Sequence, residues 1–175
     1  IYAFFELHER LPKVRLHIMG GVDDEEYGAE CHALVETLGV RDLIFTGRVN
    51  VVEYMEKLDF TILTSISEGQ PLSVLESLAA CRPCVTTEVG CCRELLEGAP
   101  GDDFGVAGFV TPPMYRKGLA DAMERMCTSR ARRIEMGERG KRRVAKYFLH
   151  EQMLANYRAL YDVTAQAFDL PREGE

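Results

Sequence analysis

Residues 60–76 read FTILTSISEGQPLSVLE. The run Phe60 to Thr64 is apolar and β-branched, which predicts a short buried strand. Ser65 to Gln70 is polar with a glycine, and Pro71 then opens an apolar-periodic helix predicted over 71–81, with Leu72, Leu75, Leu78 and Ala79 on one face. A strand, a tight turn at Gly69 and a helix start marked by Pro71 and Ser73 make a ready anion site. Free backbone N–H groups and the positive end of the helix dipole point outward there. Glu68 sits in the turn and Glu76 on the helix, so the two carboxylates can address different parts of one extended ligand. A surface helix with two solvated acids accounts for the same residues, and both readings stand at this point.

The pattern around this stretch alternates. Ile1 to Leu11 reads as a helix already in mid-course, with Ala3, Phe4, Leu7 and Leu11 on one face. Strands are predicted at Val14 to Met19, Leu43 to Thr46, Cys84 to Thr87 and Phe109-Val110. Helices are predicted at 24–38 (Tyr27, Cys31, Leu34, Val35 and Leu38 inward), Val51 to Leu58 and Arg93 to Leu96. This alternation predicts an α/β, Rossmann-like fold: one parallel sheet with helices on both faces, and ligands beyond the C-terminal ends of the strands. The last third is helical. Leu119, Ala122, Met123, Met126 and Cys127 form one stripe and Met153, Leu154, Tyr157, Leu160, Tyr161 and Thr164 another, both read as core packing. The reading is a single domain over 1–168 with a polar tail at 169–175.

Composition narrows the function classes. The 175 residues are 46% hydrophobic and 28% charged, as in an ordinary globular domain. A net charge of −7 gives no electrostatic reason to bind nucleic acid. No apolar run reaches bilayer length, and the expected location is the cytoplasm. The six cysteines lack zinc-site spacing, because Cys91 and Cys92 are adjacent. They read as reduced, small hydrophobes. His8, His17, His32 and His150 show no catalytic or metal spacing. Asp23 to Glu26 reads as an acidic helix start. Arg130 to Lys146 carries eight basic residues in seventeen and reads as a solvated helix face, with an anionic surface or partner contact as the other possibility.

Glu68-x7-Glu76, within SEGQPLSVLESLAA, resembles the E-x7-E signature of retaining glycosyltransferases of family 4 with the GT-B fold. Arg82 to Gly90 resembles the family's strand and turn, Phe45 to Val49 its base-binding loop, and Met136-Gly137 with Gly140, Arg143, Val144 and Phe148 its C-terminal helix. Within the family, Val89 to Gly98 and Asp102 to Val110 with Pro112-Pro113 are most similar to a glycosyltransferase of exopolysaccharide synthesis.

The resemblance implies roles. Glu68 is the catalytic-site carboxylate that holds donor-sugar hydroxyls. Gly69, Gln70, Pro71, Leu72 and Ser73 present backbone N–H groups to the sugar and diphosphate. Glu76 accepts from both ribose hydroxyls, and Arg48 and Val49 meet the base, uracil. The implied reaction moves a hexose from a UDP-sugar, UDP-glucose first among them, to a growing polysaccharide with retention, through an oxocarbenium-like state. Catalysis then rests on positioning and on stabilising the departing diphosphate. No cofactor or metal is implied, and no Asp-x-Asp motif occurs. The implied partners are the nucleotide sugar, an N-terminal GT-B domain and a membrane-bound polysaccharide synthesis complex.

Three departures carry expectations. The family's diphosphate-binding Arg and Lys, and the strand that carries them, precede the helix that begins here at Ile1. The acceptor-binding domain is likewise absent from these residues. The expectation is an N-terminally truncated donor-binding half, inactive alone. Third, Cys81 stands where the family has Gly and Cys84 where it has Val. Cys81 is strained if that position needs positive φ. Two other functions stay open: a GT-B-fold sugar-nucleotide epimerase, against which the lack of a His near the strand ends counts, and a non-catalytic nucleotide-binding module.

Overall fold

In the computed structural model, the backbone is described over residues 1–168 and side chains over 1–164. The expected tail at 169–175 lies outside the described residues. The order is α1 (Tyr2–Arg10), β1 (Leu16–Met19), α2 (Glu25–Leu38), β2 (Leu43–Gly47), α3 (Val51–Met55), β3 (Thr61–Leu63) and α4 (Leu72–Ala79). Next come β4 (Cys84–Thr87), α5 (Cys92–Glu97), β5 (Gly108–Thr111), α6 (Arg116–Cys127), α7 (Arg130–Tyr147) and α8 (His150–Phe168).

Every pairing is parallel, as the alternation of strands and helices requires. The strands form parallel sheets flanked by helices, as the Rossmann-like reading expects. Among the described residues β1 pairs with β2, while β3, β4 and β5 form a second sheet in that order. A slot of about 780 Å³ separates β1 from β3. One core nonetheless serves both sheets. Ala3, Phe4 and Leu7 of α1 pack with Leu43 of β2, Val85 of β4 and Ala120, Met123 and Met126 of α6. Each such buried Leu or Met side chain contributes about 1.5–3 kcal/mol. A second core lies under α4 and α5, where Val74, Leu78, Leu95 and Leu96 meet Cys84.

Local chemistry explains the boundaries. Asp24 caps α2 by accepting from the Tyr27 amide at 3.0 Å, and Gly39 ends the helix in the left-handed conformation at φ 66°. Ser129 caps α7 by accepting from the Arg132 amide. Two glycines of α7 let it close on α4. A Cβ at Gly137 would strike the carbonyl oxygen of Cys81, and one at Gly140 would meet the Leu78 side chain. Cys81 does adopt positive φ, 61°.

Several expectations are corrected. The inward face of α4 is Val74, Ser77 and Leu78; Leu72 is exposed because it projects from the first turn beyond the core. Tyr27 is exposed at the start of α2, which buries no residue fully. The α8 stripe is not core. Met153, Leu154, Tyr157, Leu160 and Tyr161 are exposed, since no other described element covers that face. The basic helix α7 is not wholly solvated either. Arg143 is 1% exposed and bonds Asp102 at 2.6 Å.

Candidate functional site

The site begins where β3 ends. After Leu63 the chain turns through Ser65 to Gln70 and enters α4 at Pro71. No side chain caps α4, and Pro71 occupies the cap position. The Pro71 carbonyl accepts from the amides of Val74 and Leu75. The amides of Leu72 and Ser73, within the first turn, have no intrahelical acceptor and face outward with the dipole.

Glu68 is half-buried, and its Oε1 accepts from the Ser65 hydroxyl at 2.7 Å. That bond fixes the carboxylate relative to the strand end. The second carboxylate, Glu76, is exposed on α4, about 7 Å along the axis from the cap at the helical rise per residue. Gly69 and Gln70 are exposed. Gly69 is not the strained point of the turn: it keeps an ordinary φ, and open space lies where its Cβ would be.

The strained glycine is on the neighbouring loop. Gly90, after β4, has φ 50°, and a Cβ there would collide with the carbonyl oxygens of Gly69 and Glu68. The two loops are tied by one main-chain bond and one side-chain bond. The Cys91 amide donates to the Gly69 carbonyl at 3.0 Å, and the Thr87 hydroxyl donates to the Ser65 carbonyl at 2.5 Å. The Cys91 thiol approaches the Gln70 side chain, and burial pushes its pKa up, so it stays protonated at neutral pH. Cys92 is buried with its thiol toward Thr86, whose buried hydroxyl has no other partner. Its pKa is also raised by burial.

Arg48 and Val49 follow β2, at Gly47 with φ 67°. The exposed Arg48 guanidinium lies against Gly21, after β1, close enough that a Cβ on Gly21 would stand 3.1 Å from its Nε. The structure therefore brings Glu68, Gly69, Gln70 and the start of α4 together at one strand end. Arg48 and Val49 form a separate corner on the other sheet. No hydrogen bond among the described residues joins that corner to the Glu68 loop.

The sequence reading missed Ser65, Thr87, Gly90 and the Cys91 amide. Ser65, three residues before Glu68, was a legible signal for a local bond. The Gly90 contact was not, because it depends on how closely two loops approach. Arg143 was also missed as a structural hub. Its guanidinium donates to both oxygens of Asp102 and to the carbonyls of Leu95, Leu96 and Gly105.

Parallel sheets with flanking helices in this arrangement match the C-terminal domains of GT-B glycosyltransferases. The model of the family described as "Glycosyl transferases group 1" matches residues 1–129, and the chain belongs to that family. The N-acetyl-alpha-D-glucosaminyl L-malate synthase of Bacillus anthracis is 28% identical over 130 residues, 73% of this chain and 32% of that protein. The O-antigen biosynthesis glycosyltransferase WbnH of Escherichia coli is 35% identical over 88 residues, 50% of this chain and 24% of that one. The chain thus spans about a third or less of these curated relatives. Among solved structures, Anabaena HepE in complex with UDP and glucose superposes with a TM-score of 0.78 at 21% identity, covering 90% of this chain and 44% of HepE. Sucrose-phosphate synthase from Thermosynechococcus elongatus gives 0.77 at 22%, covering 93% and 42%. Among the described residues no helix is long and apolar enough to cross a membrane.

Proposed function

We propose that this chain is the donor-binding half of a retaining glycosyltransferase that moves a hexose from a UDP-sugar to a growing exopolysaccharide. The observation that carries the reading is the Glu68 loop. A carboxylate oriented by Ser65 stands beside uncapped first-turn amides of α4, with Glu76 further along the same helix. A diphosphate suits the amides. Hydroxyls of the sugar suit Glu68, and the ribose suits Glu76, whose two oxygens can accept from adjacent hydroxyls. Arg48 and Val49 take the base at the neighbouring corner. UDP as the nucleotide is supported by the structures of HepE with UDP and with UDP-glucose, and of TarM with UDP.

In this reading Gly69 to Ser73 position the diphosphate, and Glu68 holds the sugar while the bond to the leaving group breaks. The acceptor hydroxyl attacks from the leaving-group side, which preserves the anomeric configuration. The chain's contribution is preorganised donors at the developing diphosphate charge. The finer assignment, to the Pel exopolysaccharide glycosyltransferase PelF, rests on the sequence likeness of Val89 to Gly98 and Asp102 to Val110 alone. A complete enzyme would add an N-terminal domain and a membrane-bound synthesis complex as partners.

Calorimetric titration with UDP, UDP-glucose and GDP tests the reading, repeated with Glu76→Ala. Selective UDP binding that weakens about tenfold or more in the variant is expected for the loss of a charge-assisted pair of hydrogen bonds. Equal affinity for GDP, or unchanged affinity in a folded Glu76→Ala variant, would overturn it.

A further inference from the structure

The chain leaves β5 through Pro112-Pro113-Met114-Tyr115. The Tyr115 amide donates to the Pro112 carbonyl at 3.4 Å, which closes a tight turn, and the Tyr115 carbonyl opens α6 by accepting from the Leu119 amide at 3.0 Å. Pro113 and Met114 are the central residues of the turn. The proline ring fixes its own φ, and Met114 takes φ 58° at the position where such a turn calls for Gly or Asn. Met114 is 88% exposed, so no packing of its side chain offsets that strain. Tyr115 is 50% exposed, and a Cβ on Gly118 would strike its ring. The glycine thus lets the ring rest against the first turn of α6 while half of it stays open to solvent. Backbone strain kept beside two exposed apolar side chains points to a contact surface.

The turn stands on the same sheet edge as Glu68. β3, β4 and β5 run parallel, with Leu63 beside Thr86 and Thr87 beside Thr111. The Glu88 amide donates to the Thr111 carbonyl at 2.7 Å, directly before Pro112, and the Thr87 hydroxyl holds the Ser65 carbonyl at the head of the Glu68 loop. Two strand spacings, about 10 Å, separate the two loops, a distance that a short oligosaccharide spans. Glu88 follows the strand between them; it is exposed, Arg93 holds its Oε1, and its other oxygen can accept from sugar hydroxyls. We propose that Met114 and Tyr115 form a platform for the acceptor glycan, on which the apolar C–H face of a gluco-configured pyranose stacks. The equatorial substituents of such a sugar leave that face flat, and the electron-rich face of the tyrosine ring attracts its polarised C–H groups. This inference rests on the glycosyltransferase reading above and adds to it the surface along which the sugar chain lies.

Titration of the 175-residue chain with cellohexaose, followed by two-dimensional NMR, is the test. The Met114 methyl and Tyr115 ring signals should shift saturably. Affinity should fall at least about tenfold in Tyr115→Ala and stay within about twofold of the parent in Tyr115→Phe, which keeps the ring. Met114→Gly relieves the left-handed strain, so it should melt no lower than the parent yet bind the glycan several-fold more weakly. No shift at residues 112–118 with millimolar glycan would overturn the proposal, as would parent-like affinity in a folded Tyr115→Ala variant. A parallel titration with UDP-glucose separates this failure from failure of the underlying reading. A lost platform with UDP-glucose still bound overturns this inference alone, whereas a chain that binds cellohexaose at Tyr115 but no UDP-glucose overturns the donor-binding reading, and with it the assignment of the glycan as acceptor.

Discussion

Replacing Arg143 by Met tests the account of what holds the α5–β5 connection in place. The guanidinium and the Asp102 carboxylate are 1% and 3% exposed, and three backbone carbonyls depend on the same side chain. Removing one partner of a buried pair costs about 3–5 kcal/mol, because the other charge stays buried and uncompensated. That is a large share of the roughly 5–15 kcal/mol by which a domain is stable. Urea denaturation followed by circular dichroism measures it. Removing both partners, in Arg143→Met/Asp102→Asn, should recover part of the loss. The pH dependence supplies a second signature. Arg143 holds the Asp102 carboxyl below the usual carboxylate range in the fold. Its contribution is therefore complete above the unfolded value near pH 4 and is lost as pH falls through the lower folded value. In Arg143→Met, burial without a partner raises that pKa instead, so for this group stability should rise as pH falls through the folded value. A variant within about 1 kcal/mol of the parent, with the same acid dependence, would refute the reasoning.

Three further outcomes follow from the site and its surroundings. Gly90→Ala should cost about 2 kcal/mol, or roughly 4–8 °C in thermal melting, since left-handed geometry and the Glu68–Gly69 carbonyls both oppose the methyl. The same variant should bind UDP-glucose more weakly than its stability loss predicts, because the Glu68 loop must move; calorimetry reads this directly. Cys81→Gly should raise the unfolding free energy by roughly 0.5–1 kcal/mol in urea denaturation, the left-handed strain at φ 61° outweighing the added chain entropy. Thr86→Val removes a buried hydroxyl that only a weak thiol partner reaches, so its midpoint in the same assay should be unchanged or higher.

Much of this architecture is legible in the sequence because hydrophobic period and turn residues act locally. The strand at Cys84 to Thr87 lies where its apolar, β-branched run puts it, and the stripe of α6 buries Ala122, Met123 and Met126 as the helical period requires. The limits are equally physical. Periodicity marks α8 as two-sided, but a stripe of Tyr157, Leu160 and Tyr161 does not say whether anything covers it, and here nothing described does. A count of basic residues does not reveal that Arg143 turns inward to Asp102, since the two are 41 residues apart. Local pattern gives strands without their register, so the irregularity between Ile18 and Met19 in the pairing of β1 with β2 was not visible. In the candidate site, Glu68 and its loop were found from the strand–turn–helix pattern. Gly90 was not, because its role exists only where two loops pass within contact.

The clamp between those loops has an evolutionary consequence. The bond from the 89–91 segment to the Glu68 loop is made by the Cys91 amide, not by a side chain, and Gly90 contributes only by having none. The side chain at 91 can therefore be exchanged with little change in the shape of the loop it supports, while position 90 is held fixed. Cys91 is an instance of that latitude, whereas its neighbour Cys92 is held by the core it fills. Selection can retune what lies beside the carboxylate without rebuilding the strand end that presents it.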